Sequence, residues 1–147
     1  MKNRYDVVEM LLNQGAEPNA QDINGGTALH RTIWEGDNHM IVCVLCDKGA
    51  NVNGTDTEGR APLFVAALQG NTRCVKALLD RGADVHLFKK DPKWSKCAIH
   101  IAARKGHDEI IRLLVKAGAD VEVPDPIEGW TPLHEASYGG TPKRARL

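Results

Sequence analysis

The amino-acid sequence predicts an all-α solenoid built from helix-turn-helix units that are joined by β-turn or hairpin fingers. Three landmarks carry this prediction: a four-residue segment that opens each unit, a glycine nine residues after its start, and a Gly-Ala pair that closes the unit. All three recur with steps of 33 to 36 residues. A helix pair of this length cannot bury its apolar faces alone, so the copies are expected to stack on one another.

The opening segment occurs four times, with steps of 34, 36 and 34 residues between successive starts. The copies are TALH at 27–30, APLF at 61–64, CAIH at 97–100 and TPLH at 131–134. The Gly-Ala pair lies at 15–16, 49–50, 82–83 and 118–119. Because independent landmarks share one period, the repeats are a property of the whole chain.

Residues 95–121 show how one unit is expected to fold. Ile99, Ala102 and Ala103 repeat at the spacing of one helix face, and a second apolar run follows over 110–117. Gly106 separates the two predicted helices, and Gly118 stands where a helix needs a left-handed residue to end. Residues 5–13 read as a second helix without its first helix.

These repeats resemble the ankyrin repeat family, whose unit of about 33 residues opens its first helix with a T-P-L-H-x-A motif. The resemblance covers nearly the whole chain and implies a non-catalytic domain that binds proteins. It also implies that His30, His100 and His134 tie neighbouring repeats together through hydrogen bonds from both ring nitrogens. Phe64 takes this place in the second repeat, where packing is expected instead.

We expect one ankyrin-repeat domain over residues 1–147. Its expected parts are an N-terminal half repeat (1–21), three repeats (22–55, 56–91 and 92–125), a C-terminal half repeat (126–140) and a basic tail (141–147). The first repeat has one extra residue near 37–39, and the finger over 87–96 has three. Since the chain starts and stops inside a unit, we expect a fragment of a longer protein.

The composition narrows the classes of function. The 19 basic and 19 acidic residues balance, which excludes a chain-wide polyanion binder. No apolar run approaches the roughly 20 residues of a membrane span, and the N-terminus lacks a signal-peptide profile. Four cysteines without a disulfide-framework spacing favour a reducing compartment. We therefore expect a cytoplasmic protein, with the nucleus as the alternative.

The cysteines and histidines do not predict a reactive site. Cys43 and Cys46 form a C-x-x-C pattern, but no second pair completes a zinc site. Cys46, Cys74 and Cys97 fall at positions expected to be buried, and Cys43 falls on the outer face of its helix. No nucleophile, base and orienting group can be assembled, so we expect no enzyme activity, no metal and no cofactor.

The family resemblance places the function on a concave groove formed by the fingers and the exposed side of the first helices. We expect this groove to bind a partner protein, as in a scaffold or adaptor. The expected partner-binding residues are Ile23, Trp34, Glu35, Arg60, Leu68, Gln69, Trp94, Lys96, Arg104, Lys105, Trp130 and Tyr138. Tryptophan, tyrosine and arginine are common interface anchors. Alternatively, Trp94 and Trp130 pack against adjacent fingers.

Two neighbouring fingers carry charges of opposite sign. The third finger and the helix after it carry a cluster of basic residues: Lys89, Lys90, Lys93, Lys96, Arg104 and Lys105. The next finger carries acidic residues: Asp120, Glu122, Asp125 and Glu128. This polarity would orient a partner with charges of both signs, and a solvated charge run is the plainer interpretation. The alternative function is nucleic-acid or phosphate-ligand binding by the basic third finger, with Trp94 as a stacking platform.

The two ends of the array are expected to expose apolar side chains. These are Val7, Val8, Leu11 and Leu12 at one end, and Leu133 and Ala136 at the other. We expect a monomer with frayed ends. Head-to-tail self-association, in which the two half repeats complete each other, is the alternative.

Overall fold

The computed structural model describes residues 3–89, 91 and 95–139. This part of the chain contains eight α-helices and one isolated antiparallel bridge, between Phe88 and Cys97. The helices are α1 (Asn3–Asn13), α2 (Ala28–Glu35), α3 (His39–Asp47), α4 (Pro62–Gln69), α5 (Thr72–Asp80), α6 (Ala98–Lys105), α7 (Asp108–Lys116) and α8 (Pro132–Gly139). The predicted all-α class is confirmed, and each predicted helix of 95–121 is found.

The helices form two stacked layers. The first helices α2, α4, α6 and α8 contact one another in that order, and the second helices α1, α3, α5 and α7 do the same. One apolar core runs between the layers, and Leu29, Val65, Leu78 and Ile99 are buried in it. Each unit thus buries its apolar face against its neighbours, which confirms the predicted solenoid.

Several helix boundaries lie at the prolines and glycines where the sequence predicts them. α4 begins at Pro62, where the missing N–H of proline costs no hydrogen bond. Gly70 and Gly106 follow α4 and α6 with φ of 78° and 75°, the left-handed conformation that a residue with a Cβ rarely adopts. The sequence therefore specifies these boundaries locally.

The histidines of the opening segments connect successive units. Nε2 of His30 lies 2.8 Å from the carbonyl oxygen of Arg60. Nε2 of His100 lies 3.0 Å from the carbonyl oxygen of Val123 and 2.9 Å from that of Trp130. The Nδ1 atoms instead accept the N–H groups of Thr27 and Cys97, three residues earlier in the same unit. Since carbonyl oxygens only accept, Nε2 carries the proton in both rings.

The extra residue of the first repeat has a structural role. The α2–α3 connection has three residues, whereas the α4–α5 and α6–α7 connections have two. Its middle residue, Asp37, accepts the N–H of Cys74 at 2.9 Å and that of Arg73 at 3.3 Å. These are N–H groups of the first turn of α5, so Asp37 caps a helix of the next unit.

The third finger closes as a hairpin. The N–H of Lys89 donates to the carbonyl oxygen of Lys96 at 2.7 Å, next to the bridge between Phe88 and Cys97. This pairing lies directly before α6, which begins at Ala98. Within the described residues, no helix has the length and apolar composition that a membrane crossing requires.

Candidate functional site

The first group of expected partner-binding residues lies where α2 meets the second finger. The side chain of Trp34 is 36% exposed, and the guanidinium carbon of Arg60 lies 5.2 Å from the ring centroid. Arg60 Nε is 2.8 Å from Asp56 Oδ2, and its Nη2 is 2.9 Å from Glu58 Oε2. Two carboxylates thus fix a cation over an indole ring, a favourable cation–π arrangement. We call these four residues the Trp34 cluster.

Asp56 is the anchor of that finger. Its Oδ1 accepts the N–H groups of Glu58 and Arg60 at 3.0 and 2.9 Å. Burial by itself raises the pKa of Asp56, but these hydrogen bonds and the Arg60 charge outweigh burial and lower it below the ordinary value. Asp56 is therefore a carboxylate at neutral pH and holds Arg60 in place.

Four other expected residues differ in exposure. Ile23, in the preceding finger, is 97% exposed. Glu35 is exposed and pairs with Arg31 at 3.2 Å. Leu68 is half-buried at the end of α4, and Gln69 beside it is exposed.

The second group gathers at the end of α8. The Trp130 ring meets Tyr138 edge to face, with 5.2 Å between centroids, and stacks on His134 at 6.1 Å. The guanidinium carbon of Arg104 lies 5.4 Å from the Tyr138 ring centroid. We call these four residues the Trp130 cluster. An open pocket of about 470 Å³ is lined by Trp130, Leu133, His134, Ser137 and Tyr138.

The other expected residues take different positions. Lys105 is exposed at the end of α6. Trp94 lies outside the described residues. Trp130 is half-buried and contacts Tyr138 and His134 of α8. Its part in binding stays a prediction.

Lys96 does not lie on the open surface where the sequence placed it. It is 1% exposed, and its ammonium lies 2.7 Å from Asp125 Oδ2 and 2.7 Å from Glu135 Oε1. Glu128 adds a third carboxylate at 3.3 Å. Arg104 Nε lies 3.1 Å from the other Glu135 oxygen. We call Lys96, Arg104, Asp125 and Glu135 the buried charge cluster.

The environment keeps Lys96 and Asp125 charged. Burial by itself lowers the pKa of Lys96, but Asp125 and Glu135 outweigh burial and raise it. Burial raises the pKa of Asp125, but Lys96 and three backbone N–H groups outweigh burial and hold it well below the ordinary value. The three N–H donors belong to Ile127, Glu128 and Trp130.

Sequence reasoning missed Glu135, although a signal was present. In the repeat register Glu135 occupies the position of Arg31, Val65 and Ile101, of which the last two are buried apolar residues. A carboxylate at an apolar stacking position needs a buried cation. The fourth opening segment gave only a weak signal for such a partner, because Arg31 holds the same position in the first repeat and is exposed.

The basic finger is partly neutralised by its own neighbours. Lys89 is buried and pairs with Asp91 at 3.1 Å, and Lys96 belongs to the buried charge cluster. Lys90 and Lys93 lie outside the described residues. Two of the four lysines that suggested a polyanion site are thus engaged internally.

Two of the four cysteines lie in the buried core. Cys74 and Cys97 are buried as expected, whereas Cys43 and Cys46 are half-buried. Burial raises the pKa of the Cys46 thiol to about 11, which leaves it protonated at neutral pH. In the part of the chain that the structure describes, no three His, Cys, Asp or Glu residues are grouped to hold a metal ion.

Comparison with known proteins agrees with this geometry. A family model described as ankyrin repeats (3 copies) matches residues 1–89, and one described as ankyrin repeats (many copies) matches residues 99–147. The chain is 38% identical over 87 residues to the E3 ubiquitin-protein ligase KEG of Arabidopsis thaliana, covering 58% of this chain and 5% of that protein.

Two mouse proteins show similar matches. The nuclear factor NF-kappa-B p105 subunit is 34% identical over 103 residues, covering 65% of this chain and 11% of that protein. The RelA-associated inhibitor is 39% identical over 85 residues, covering 58% of this chain and 10% of that protein. The matched region is thus a small part of each relative. A single family model matches residues 1–89, which is more than half of this chain. The chain therefore belongs to the ankyrin-repeat family.

Proposed function

We propose that this chain is a protein-protein interaction module, a scaffold or adaptor that binds a partner protein along the line of fingers and first-helix ends. The observation that carries the proposal is the placement of aromatic side chains together with cations at both ends of that line, in the Trp34 and Trp130 clusters. Aromatic rings and arginines are the side chains that most often anchor protein interfaces.

The composition supports this assignment. The chain has only seven aromatic residues, and three of them, Trp34, Trp130 and Tyr138, lie in these two clusters. Each cation is held by a carboxylate, so its position is fixed before a partner arrives. Such preorganisation reduces the entropy cost of binding.

The test compares partner capture by the wild type and by groove variants. A partner is first isolated from a native lysate with the wild-type chain, and its affinity is then measured by calorimetry. Trp34→Ala and Tyr138→Ala should each weaken binding by about 2 kcal/mol, roughly 30-fold, if they are anchors. Met40→Ala, which removes an exposed apolar side chain from α3, is the matched control and should leave affinity unchanged.

Thermal melting of the same variants separates binding from folding. Trp34→Ala should lower the melting temperature by only a few degrees, because the residue is 36% exposed and its loss is smaller than that of a core residue. A variant that melts far lower while its folded fraction binds normally would show that the ring is a core residue. In that case the proposed anchors would be wrong.

Nucleic-acid binding by the third finger is the less favoured function, because Lys89 and Lys96 are paired with carboxylates. The salt dependence of partner affinity distinguishes the two. A polyanion releases several counterions and loses affinity steeply with salt, whereas an aromatic-anchored protein interface loses little.

We also propose a monomeric state and a cytoplasmic location, with the nucleus as the alternative. All four cysteines are free, as in proteins of reducing compartments. Exposed apolar residues on α1, among them Leu11, support head-to-tail association as the competing state. A mass that rises with concentration, and that Leu11→Glu returns to the monomer value, would establish association instead.

A further inference from the structure

The apolar core does not extend to α8. Its last contributor along the described chain is Val123, before the final finger. In α4 six consecutive residues are buried, from Pro62 to Ala67, and in α6 six more are, from Ala98 to Ala103. In α8 the buried residues are Pro132 and Glu135, and Leu133 is 73% exposed. Something other than a continuous apolar face must therefore hold α8 on α6.

The buried charge cluster lies at that junction. Lys96 comes from the residues that enter α6, Asp125 from the final finger, Arg104 from α6 and Glu135 from α8. The charges of the two cations and the two carboxylates cancel. Glu128 contacts Lys96 from the edge of the cluster, and its side chain is half-exposed. Lys96 is the member that contacts both the finger and the helix of the last unit.

Glu135 depends on these cations. Both of its carboxylate oxygens are fully buried, and among the described residues neither has a partner at hydrogen-bond angles. The ion pairs with Lys96 at 2.7 Å and with Arg104 at 3.1 Å compensate for the burial of this carboxylate. Removing one partner of a buried ion pair leaves an uncompensated charge, which is strongly destabilising, whereas replacing both partners by apolar residues is often neutral.

We propose that Lys96 is a positioning residue that latches the last unit, residues 125–139, onto the third repeat and thereby sets Trp130 and Tyr138 beside Arg104. Loss of the Lys96 charge releases this unit as a whole while α2–α7 remain folded. The Lys96 ammonium also lies 5.3 Å from the Trp130 ring centroid, so the latch directly contacts an expected anchor. The consequence for partner binding rests on the proposed function, but the latch itself does not.

The equivalent finger position shows that this role is particular to Lys96. Arg60 stands one residue before its opening segment, as Lys96 does. Arg60 pairs within its own finger, with Asp56 and Glu58, and also contacts Trp34 of the preceding unit. Lys96 instead pairs across to the following unit, and its side chain is buried there.

The test uses amide hydrogen exchange of the full chain at neutral pH, with no partner present. Lys96→Met should speed exchange of the α8 amides on the order of 100-fold, the loss expected for a broken buried pair. Exchange in α4 and α5 should change less than about threefold, because those helices pack through the apolar core. Lys76→Met is the matched control, since Lys76 forms an exposed pair with Asp80 at 3.4 Å.

A double variant tests the mechanism. Lys96→Met with Glu135→Ile removes both charges and restores the apolar residue type found at Val65 and Ile101. Asp125 keeps its three N–H donors in this variant. The Arg104 guanidinium is partly exposed and keeps its contact with the Tyr138 ring. The α8 amides should regain part of the protection lost in Lys96→Met, because Glu135 no longer leaves a buried charge unpaired, although Asp125 still lacks Lys96.

Trp130 fluorescence gives a second readout of position. In a Trp34→Phe and Trp94→Phe background, Lys96→Met should shift the emission to longer wavelength, and adding Glu135→Ile should reverse part of the shift. Unchanged α8 protection in Lys96→Met, equal loss in α4 and α8, or no recovery in the double variant would each overturn the proposal. If Lys96→Met alone fails to fold, the double variant decides: recovery supports the latch and failure overturns it.

Discussion

The first and last helices of the described array, α1 and α8, differ in how they pack. At the N-terminal end, α1 packs Tyr5, Val8 and Leu12 against the apolar core. The sequence led us to expect Val8 and Leu12 in water, which is wrong, while Val7 and Leu11 are exposed as expected. At the C-terminal end, α8 docks through Glu135 and the cations around it.

This difference shows that one architecture can be held together by two kinds of force. Apolar burial is non-directional and nearly independent of pH, so α1 depends on how much surface it covers. A buried ion cluster requires defined distances and defined protonation states. The C-terminal unit should therefore respond to acid and to single charge changes, and the N-terminal helix should respond to loss of apolar volume.

The largest expected effect is selective loss of the C-terminal unit in acid. Asp125 and His100 hold pKa values below their ordinary 3.8 and 6.5, so the unfolded chain binds their protons at higher pH than the folded chain does. Their stabilisation is present above those values and is lost as pH falls, first through His100 and then through Asp125. Burial and the Lys96 charge lower the His100 pKa. The charged or titratable groups packed around this region are Lys96, Cys97, His100, Arg104, Asp120, Asp125, Glu128, His134, Glu135 and Tyr138.

Backbone NMR between pH 7 and about pH 2 measures this effect. Signals of α8 should lose their folded positions at higher pH than those of α1. Simultaneous loss of both helices would show that the two ends do not differ in this way.

The next effect compares equivalent aspartates in two fingers. Asp125→Asn removes the charge that faces buried Lys96 and should lower the free energy of unfolding by about 3 kcal/mol. Asp22 accepts the N–H groups of Asn24 and Gly26 at 2.8 and 2.9 Å and is exposed, so Asp22→Asn should cost about 1 kcal/mol or less. Urea denaturation measures both. Equal losses would mean that the turn, and not the lysine, makes Asp125 important.

The smallest effect concerns the apolar end. Leu12→Ala removes part of the α1 packing and should cost about 1 kcal/mol, since the side chain is only half-buried. Leu11→Ala is the matched control on the exposed side and should stay within about 0.5 kcal/mol of the wild type. Both values, taken from urea denaturation, should be the same at pH 7 and pH 5. A loss that grows on acidification would place charge effects at this end too.

The sequence by itself determined the helices, their order and their stacking partners. Gly70 and Gly106 end helices because of local backbone energetics, and apolar spacing selects the face that each helix buries. The repeat register also placed Trp34, Arg104 and Tyr138 at the ends of first helices, where the structure has them. These features depend on residues a few positions apart, or on a period that recurs along the chain.

Only the tertiary structure decided the fate of individual charges. Lys96 is buried because Asp125 and Glu135, 29 and 39 residues further on, lie within 2.7 Å of its ammonium. Arg60, at the same position in its own finger, finds Asp56 four residues away and stays partly exposed. A charge run in the sequence shows the sign of each residue but not its partner. Coulomb interaction and desolvation both change steeply with distance and burial, so the packed neighbours decide which lysine faces solvent and which one latches the fold.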